Sequence, residues 1–386
     1  MKPVSKRAAA LTQGAIRAMF SRATSMDNVI SMGIGEPDMA TPGLICEAAE
    51  KAIRDGKTHY TPNAGIPELR ESIASSLEAG GMSFDPGFEI IITNGGMGAL
   101  SLLISVLIDS GDEVLIGDPQ WLNYASQIQY YGGRAVRVPV FSENRFEIRA
   151  ADIEERITPK SKLIIINSPG NPTGAVLSRG ILEEIAALAQ KHDLYVVSDE
   201  VYNTLLYNET PFCSIGTIPG MKDRSITINS FSKAYAMTGW RIGYAAGPAF
   251  LIDRMTKAQE SLNACASSVG QYAALCALDH PELAEEIRLC FARRRACLYE
   301  GLSRIPGFYT SLPDGAFYLF PDISSFSMSS ARFCDLLLEE QHVVCIPGSA
   351  FGDMGEGYIR MSYTCEKELI EEALTRIARF SEVHLC

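Results

Sequence analysis

The amino-acid sequence predicts an α/β protein: a seven-stranded, mostly parallel sheet covered by helices, with a smaller α+β domain beside it. Three observations carry that expectation. Between about residues 89 and 247, short β-branched runs alternate with amphipathic or apolar helical stretches, the pattern of strands joined by crossover helices. After Gly247 the pattern is helical to roughly residue 305, and beyond it short strand-like runs return. At 386 residues and 47% apolar content, the chain is long for one compact domain and comfortable for two.

The sheet strands are expected at Glu89 to Thr93, Glu113 to Ile116, Ala135 to Val140, Lys162 to Asn167, Tyr195 to Ser198, Ser225 to Asn229 and Ile242 to Ala246. Between them, apolar residues return at helical intervals, as in Ile181, Leu182, Ile185 and Leu188. The charged segment Pro281 to Gly301 reads as a helix. In the C-terminal region Ala316 to Phe320, Val343 to Ile346 and Tyr358 to Ser362 read as strands. No repeat, low-complexity tract or Gly/Ser-rich linker marks a boundary, so the junction lies within about residues 280 to 305.

Charge and cysteine usage exclude several classes. A net charge of -12 and the lack of a long basic cluster argue against a nucleic-acid partner. Arg293-Arg294-Arg295 is the densest basic run, and with Glu285, Glu286 and Glu300 nearby it reads as a solvated or ion-paired helix face. The ten cysteines, Cys386 among them, form no Cys-x-x-Cys pair and no histidine spacing, which points to no metal and to reduced thiols in the cytoplasm. The apolar stretch Leu100 to Ile108 is too short to span a bilayer. The first 26 residues are basic and hold no acidic residue, superficially like a transit peptide. Helical spacing of Ala15, Met19 and Phe20 fits better an arm packed on an apolar surface.

The run Asn229 to Arg241 follows a strand-like segment and sets Lys233 beside Ser230, Ser232 and Arg241. A lysine amine can condense with a carbonyl to give a Schiff base, and the hydroxyls and guanidinium suit a nearby phosphate. Thr93-Asn94-Gly95-Gly96-Met97 runs from a strand into an apolar helix, where small residues let backbone N–H groups close around an anion. Asp199 ends a strand, at the edge where open α/β sheets present ligands. Asn171 lies in the turn Ser168-Pro169-Gly170-Asn171-Pro172-Thr173-Gly174 after another strand.

These motifs, in this order, resemble those of the class I and II aminotransferases, enzymes of fold type I that use pyridoxal 5′-phosphate. The resemblance runs from Ile34-Gly35-Glu36-Pro37-Asp38 to Tyr358-Ile359-Arg360-Met361-Ser362-Tyr363. It implies that Lys233 holds the cofactor covalently, that Asp199 keeps the pyridine nitrogen protonated, and that Asn171 and Tyr202 donate to the phenolic oxygen. It implies further that Gly95, Gly96, Met97, Ser230, Ser232, Arg241 and the neighbouring subunit's Tyr60 surround the phosphate, with the Trp121 ring on the pyridine face. Arg360 matches the clamp for the substrate α-carboxylate, with Ile34, Gly35, Asn171 and Phe351 lining the substrate side. The domains implied are an arm plus part of the small domain over residues 1–44, a large domain over 45–285 and a small domain over 286–386. The N-terminal arm is expected to cross to a partner, giving a homodimer with shared sites.

The expected function is amino transfer from an L-amino acid to a 2-oxo acid such as 2-oxoglutarate by a ping-pong cycle. A pyridoxal-phosphate-dependent carbon–sulfur β-lyase starts with the same proton abstraction and is the alternative. Ser230-x-x-Lys233 also spells a serine-hydrolase motif, with Ser261-Leu262-Asn263 as a second element but no Lys-Thr-Gly downstream. A non-catalytic cofactor-binding regulator would need a DNA-binding module, for which no room remains before residue 33. Some aspartate-selective relatives carry lysine after the Gly-Gly pair, whereas Met97 offers an uncharged thioether. That favours an aromatic or other neutral amino donor, with aspartate as the alternative.

Overall fold

A computed structural model describes all residues except Met1, Ala10, Thr12, Gln13, residues 15–18, Phe20 and Cys386. Of the arm residues singled out above, Ala15 and Phe20 therefore lie outside the described residues, and Met19 is buried. The strands in chain order are β1 (Ile30–Ser31), β2 (Ile90–Thr93), β3 (Glu113–Asp118), β4 (Arg134–Pro139), β5 (Ser161–Asn167) and β6 (Tyr195–Asp199). They continue with β7 (Ser225–Ser230), β8 (Gly243–Ala246), β9 (Tyr318–Leu319), β10 (Val343–Val344), β11 (Ile346–Pro347) and β12 (Ile359–Ser362).

Seven of them form one sheet in the order β2-β8-β7-β6-β5-β3-β4. Only β8 runs against its neighbours, pairing antiparallel with β2 and β7, while the other pairs are parallel. A mostly parallel sheet is buried on both faces, so its strands read as continuous apolar runs such as Leu163-Ile164-Ile165-Ile166. The edge strand β4 is the exception. It carries Arg134, Arg137 and Pro139, residues that discourage further strand addition.

Helices Gly95–Leu107 and Ala249–Asn263 pack on one face through Leu100, Leu103, Ile104, Leu251 and Met255. Helix Arg179–Lys191 covers the other through Leu182, Ile185 and Ala189. Each such leucine, isoleucine or methionine, fully buried, contributes about 1.5–3 kcal/mol. The helical stretch after Gly247 resolves into Ala249–Asn263, Ser268–Asp279 and Pro281–Leu302.

A second core, rich in Phe291, Phe317, Phe326, Phe333 and Phe380, belongs to the C-terminal region together with Ile30 and Met32. Here the sequence expectation needs correction. The run Val343 to Ile346 is split at Cys345 between two sheets, because β10 pairs parallel with β1 while β11 pairs antiparallel with β12. The expected strand Ala316 to Phe320 shrinks to β9, which pairs with β12. Apolar composition extends these runs, but backbone partners exist for only part of each.

The arginine run also departs from expectation. Arg293 is exposed, yet Arg294 and Arg295 are buried. Arg294 forms a bidentate pair with Asp38 at 2.7 and 2.9 Å. Arg295 donates to Pro313 O at 2.7 Å and lies 4.7 Å over the Tyr207 ring. Their partners come from distant segments rather than from the acidic residues of the same helix.

Candidate active site

The C-terminal ends of parallel strands converge on one cavity of about 240 Å³. β5 ends at Asn167, β6 at Asp199 and β7 at Ser230, and all three residues line it. Helix Gly95–Leu107, which starts after β2, points its N-terminus at the same space. Opposite lie Tyr318 on β9, Arg360 on β12 and Gly35.

Lys233 sits one turn past the end of β7, in the short helix Phe231–Ala234 that Ser230 caps. Its Nζ donates to Gly35 O at 2.6 Å. Burial, with the charges of Arg241 and Arg360, lowers its pKa to about 8 against the opposing pull of Glu36 and Asp199. An amine so placed is substantially neutral near pH 8, the form that attacks a carbonyl.

Asp199 is buried, and its pKa is raised to about 6 by burial, opposed by Tyr124, the Val201 N–H and Lys233. Tyr124 Oη donates to Asp199 Oδ2 at 2.5 Å. Asn167 Nδ2 donates to the Asp199 carbonyl at 3.0 Å, and Asn171 N donates to Asn167 Oδ1 at 2.9 Å, tying the two strand ends together.

Gly96, Met97, Ser230, Ser232 and Arg241, expected to surround the phosphate, line the cavity together. Asn94 makes no side-chain hydrogen bond to the first turn of its helix, so those N–H groups remain open to the cavity. Gly95 has φ of +72°, and a Cβ there would stand 2.6 Å from Arg241 Nη2, so only glycine lets the guanidinium lie this close. Ser230 and Ser232 place their Oγ atoms 2.9 Å apart beside it. No carboxylate pairs with Arg241 among the described residues. A phosphate-bearing aldehyde fits this set, in which hydroxyl donors, a guanidinium with no carboxylate partner among the described residues, an amine whose pKa is lowered to about 8 and a buried carboxyl line one cavity.

Arg360 is 1% exposed. Its Nη1 donates to Asn171 Oδ1 at 2.9 Å and its Nη2 to Gly33 O at 2.6 Å, while Nε has no partner. The guanidinium lies between the Tyr318 and Phe351 rings, 4.5 and 4.9 Å from their centroids. Among the described residues no carboxylate pairs with it, so a buried cation is held by neutral oxygens and rings alone. Such a charge is costly unless an anion completes it.

Of the residues named from sequence, Gly35, Gly96, Met97, Trp121, Asn171, Asp199, Tyr202, Ser230, Ser232, Lys233, Arg241 and Arg360 line one cavity. Gly95 does not line it but packs against Arg241, which does. Three others do not line it either. Phe351 is buried behind Arg360 as a stacking surface. Ile34 uses its carbonyl to accept from Thr364 Oγ1 at 3.2 Å. Tyr60 is 89% exposed, on a different face with Lys57 and Tyr272.

Tyr124, Asn167 and Tyr318 were not foreseen. Asn167 could have been found by the strand-end argument that singled out Asp199, and Tyr124 by its i+3 spacing from Trp121, whose ring it meets edge-on at 5.2 Å. Tyr318 lies in an apolar run and carries no local signal. The Ser-x-x-Lys reading fails on geometry, since Ser230 Oγ donates to Ile242 O and Lys233 turns to Gly35. Ser261 is exposed on a helix. No metal-binding group of side chains and no helix long and apolar enough to cross a membrane occurs among the described residues.

Comparison with known proteins agrees over nearly the whole chain. Residues 27–377 match the family described as aminotransferase class I and II. An aspartate aminotransferase of Pyrococcus abyssi is 44% identical over 94% of this chain and 94% of that protein. Aromatic-amino-acid aminotransferase 2 of Thermococcus litoralis is 42% identical, again over 94% of each. The crystal structure of a Pyrococcus protein designated A1 superposes with a TM-score of 0.96 at 42% identity, covering 99% of both chains.

Proposed function

The chain belongs to the class I and II aminotransferases and is a transaminase, and from that premise we propose that it is a pyridoxal-5′-phosphate-dependent homodimer. It moves the amino group of an aromatic or other neutral L-amino acid to 2-oxoglutarate in a ping-pong cycle. The observation that carries this reading is the pair of guanidiniums, Arg241 and Arg360, which lack a carboxylate partner among the described residues and flank a lysine whose pKa is lowered to about 8. When bound, pyridoxal 5′-phosphate supplies an electron sink for the α-carbon and a carrier for the amino group.

Each residue then has a task. Lys233 Nζ would hold the cofactor's aldehyde carbon and, as a free amine of lowered pKa, would take the proton from the substrate α-carbon. Asp199, braced by Tyr124, holds a proton on the ring nitrogen, and a cation there would in turn favour its ionised form. Asn171 and Tyr202 donate to the phenolic oxygen. The open helix N-terminus, Gly95, Gly96, Ser230, Ser232 and Arg241 bind the phosphate, joined by a partner subunit's copy of Tyr60. That residue's exposure, away from the cavity of its own chain, supports a role across a dimer.

Arg360 binds the α-carboxylate bidentately and fixes the α-carbon beside Lys233. Met97 is 37% exposed at the cavity and accepts from Gln127 Nε2 at 3.4 Å, an uncharged wall that supports the neutral donor. The relatives above carry both aspartate and aromatic names, so aspartate stands as the competing donor. The domain division at about residues 44 and 285 is part of this proposal. So is a cytoplasmic setting, which the nine described cysteines, all free thiols, support.

Borohydride reduction followed by peptide mapping tests the core of the proposal, with label expected on Lys233. Label on another lysine overturns it. Comparing kcat/KM for phenylalanine, tyrosine, methionine, alanine and aspartate with 2-oxoglutarate tests the substrate, and a clear aspartate preference refutes the Met97 argument. Pyruvate and ammonia released from a cysteine conjugate would mark a lyase instead.

A further inference from the structure

Tyr202 and Tyr318 place their hydroxyl oxygens 2.9 Å apart, in a buried position that lines the cavity. Among the described residues neither hydroxyl has another hydrogen-bond partner. Each has one proton, so only one can donate across the gap. If Tyr202 donates, its proton is spent on Tyr318 and none is left for the cavity. If Tyr318 donates, the Tyr202 proton is free to point inward.

The surroundings choose between these arrangements. The Arg360 guanidinium lies 4.5 Å over the Tyr318 ring, and its charge polarises that O–H outward. Burial comes first in raising the Tyr318 pKa, and Arg360 opposes it. Tyr202 is raised well above the usual value, first by burial and then by Tyr318, with the Asp199 charge adding to it and Arg360, which lies over the Tyr318 ring, opposing it less prominently than it opposes the Tyr318 shift. Tyr318 is therefore the better donor. Its position is also fixed from the side, since a Cβ on Gly35 would stand 2.2 Å from its oxygen, leaving the ring no room on the segment that carries Gly33 and Gly35.

We infer that Tyr318 is a positioning residue with two separable parts: a hydroxyl that donates to Tyr202 and turns the Tyr202 proton into the cavity, and a ring that carries the Arg360 guanidinium. The inference rests on the proposed role of Tyr202 as donor to the cofactor's phenolic oxygen. It links the two ends of the site, because a carboxylate bound at Arg360 offsets the charge that makes Tyr318 a donor.

The test compares Tyr318→Phe, Tyr318→Leu, Tyr202→Phe and the Tyr202→Phe/Tyr318→Phe double variant in holoenzyme. Readouts are kcat, KM for the amino donor and the pH titration of the bound cofactor's visible absorption band. Tyr318→Phe is expected to lower kcat about fivefold and to shift the titration in the same direction as Tyr202→Phe, with KM within about twofold of wild type. Tyr318→Leu is expected to raise KM about tenfold besides, because the ring under Arg360 is gone. In the Tyr202→Phe background, Tyr318→Phe should add nothing. A Tyr318→Phe titration identical to wild type, additive losses in the double variant, or equal KM for the Phe and Leu variants each overturns the inference. A Tyr202→Phe enzyme indistinguishable from wild type would instead overturn the reading of Tyr202 itself.

Discussion

The two walls of the cavity handle charge in opposite ways. On the rim of the seven-stranded sheet, burial drives the ionisable groups toward neutrality: Asp199 rises to about 6 and Lys233 falls to about 8. On the opposing wall, built from β9, β12 and the segment around Gly33 and Gly35, the charged group is Arg360, whose pKa burial also lowers, but from so high a value that the guanidinium keeps its proton. The difference teaches a division of labour. Under the proposed function, protons would move on the sheet side while a fixed charge would hold the substrate on the other.

Removing the proton-moving amine should break the comparison most severely. Lys233→Ala is expected to lower kcat by about four orders of magnitude or more while the fold persists, since Lys233 supplies chemistry rather than core packing. Single-turnover assays with circular dichroism as the fold check will measure it. Full activity would remove the sheet rim from the reaction.

Asp199→Ala should retain some cofactor and lose about a thousandfold in kcat, because an unprotonated ring nitrogen is a poor electron sink. A loss within about tenfold would refute that role for Asp199. On the opposite wall, Arg360→Lys keeps the charge but not the fork, and is expected to cost about a hundredfold in kcat/KM, mostly through KM. If the lysine variant instead lost kcat at constant KM, the division between the walls would be wrong.

Glu200 sharpens the comparison from the stability side. Adjacent to Asp199 but on the alternate side of the chain, it bonds Ser214, and burial raises its pKa with a further push from Asp199. The folded state thus holds this proton more tightly than the unfolded chain does. Its stabilising contribution is fully present below about pH 4.5 and is lost as pH rises through about 7. Glu200→Gln should therefore flatten the fall in stability over that window, by on the order of 3 kcal/mol, read as Tm against pH. The smallest effect expected is on selectivity. Met97→Lys should raise the ratio of aspartate to phenylalanine kcat/KM by about tenfold, since a single exposed charge adds only modest affinity.

The same contrast explains what could be read in advance. Lys233, Asp199, Asn171 and Arg241 sit in short motifs at strand ends, where position along the chain nearly determines position in the site. Tyr318 meets Tyr202 from 116 residues away, and Arg294 meets Asp38 from 256 residues away. No local spacing announces such partners. Phe351 was expected on the cavity surface, but an aromatic ring in a loop can either face a ligand or back a guanidinium, and only packing separates the two. The large-sheet strands were readable because both faces are buried and composition is continuous. The short strands β9, β10 and β11 were overextended because apolar composition there serves a shared core rather than a long ladder.

The parallel pairing of β1 with β10 governs the order in which the molecule can be made. Asp27 O accepts from the ring of His342, 315 residues away, and Ile30 and Met32 are held by the backbone of His342 and Val344. During synthesis the sheet has all seven of its strands once residue 246 has emerged, whereas the segment carrying Gly33 and Gly35 must wait, unpaired, for nearly the whole remaining chain. Closing so long a loop is slow compared with local helix and strand formation. The nascent protein thus passes through a stage with the sheet rim of its site assembled and the wall around Arg360 still absent.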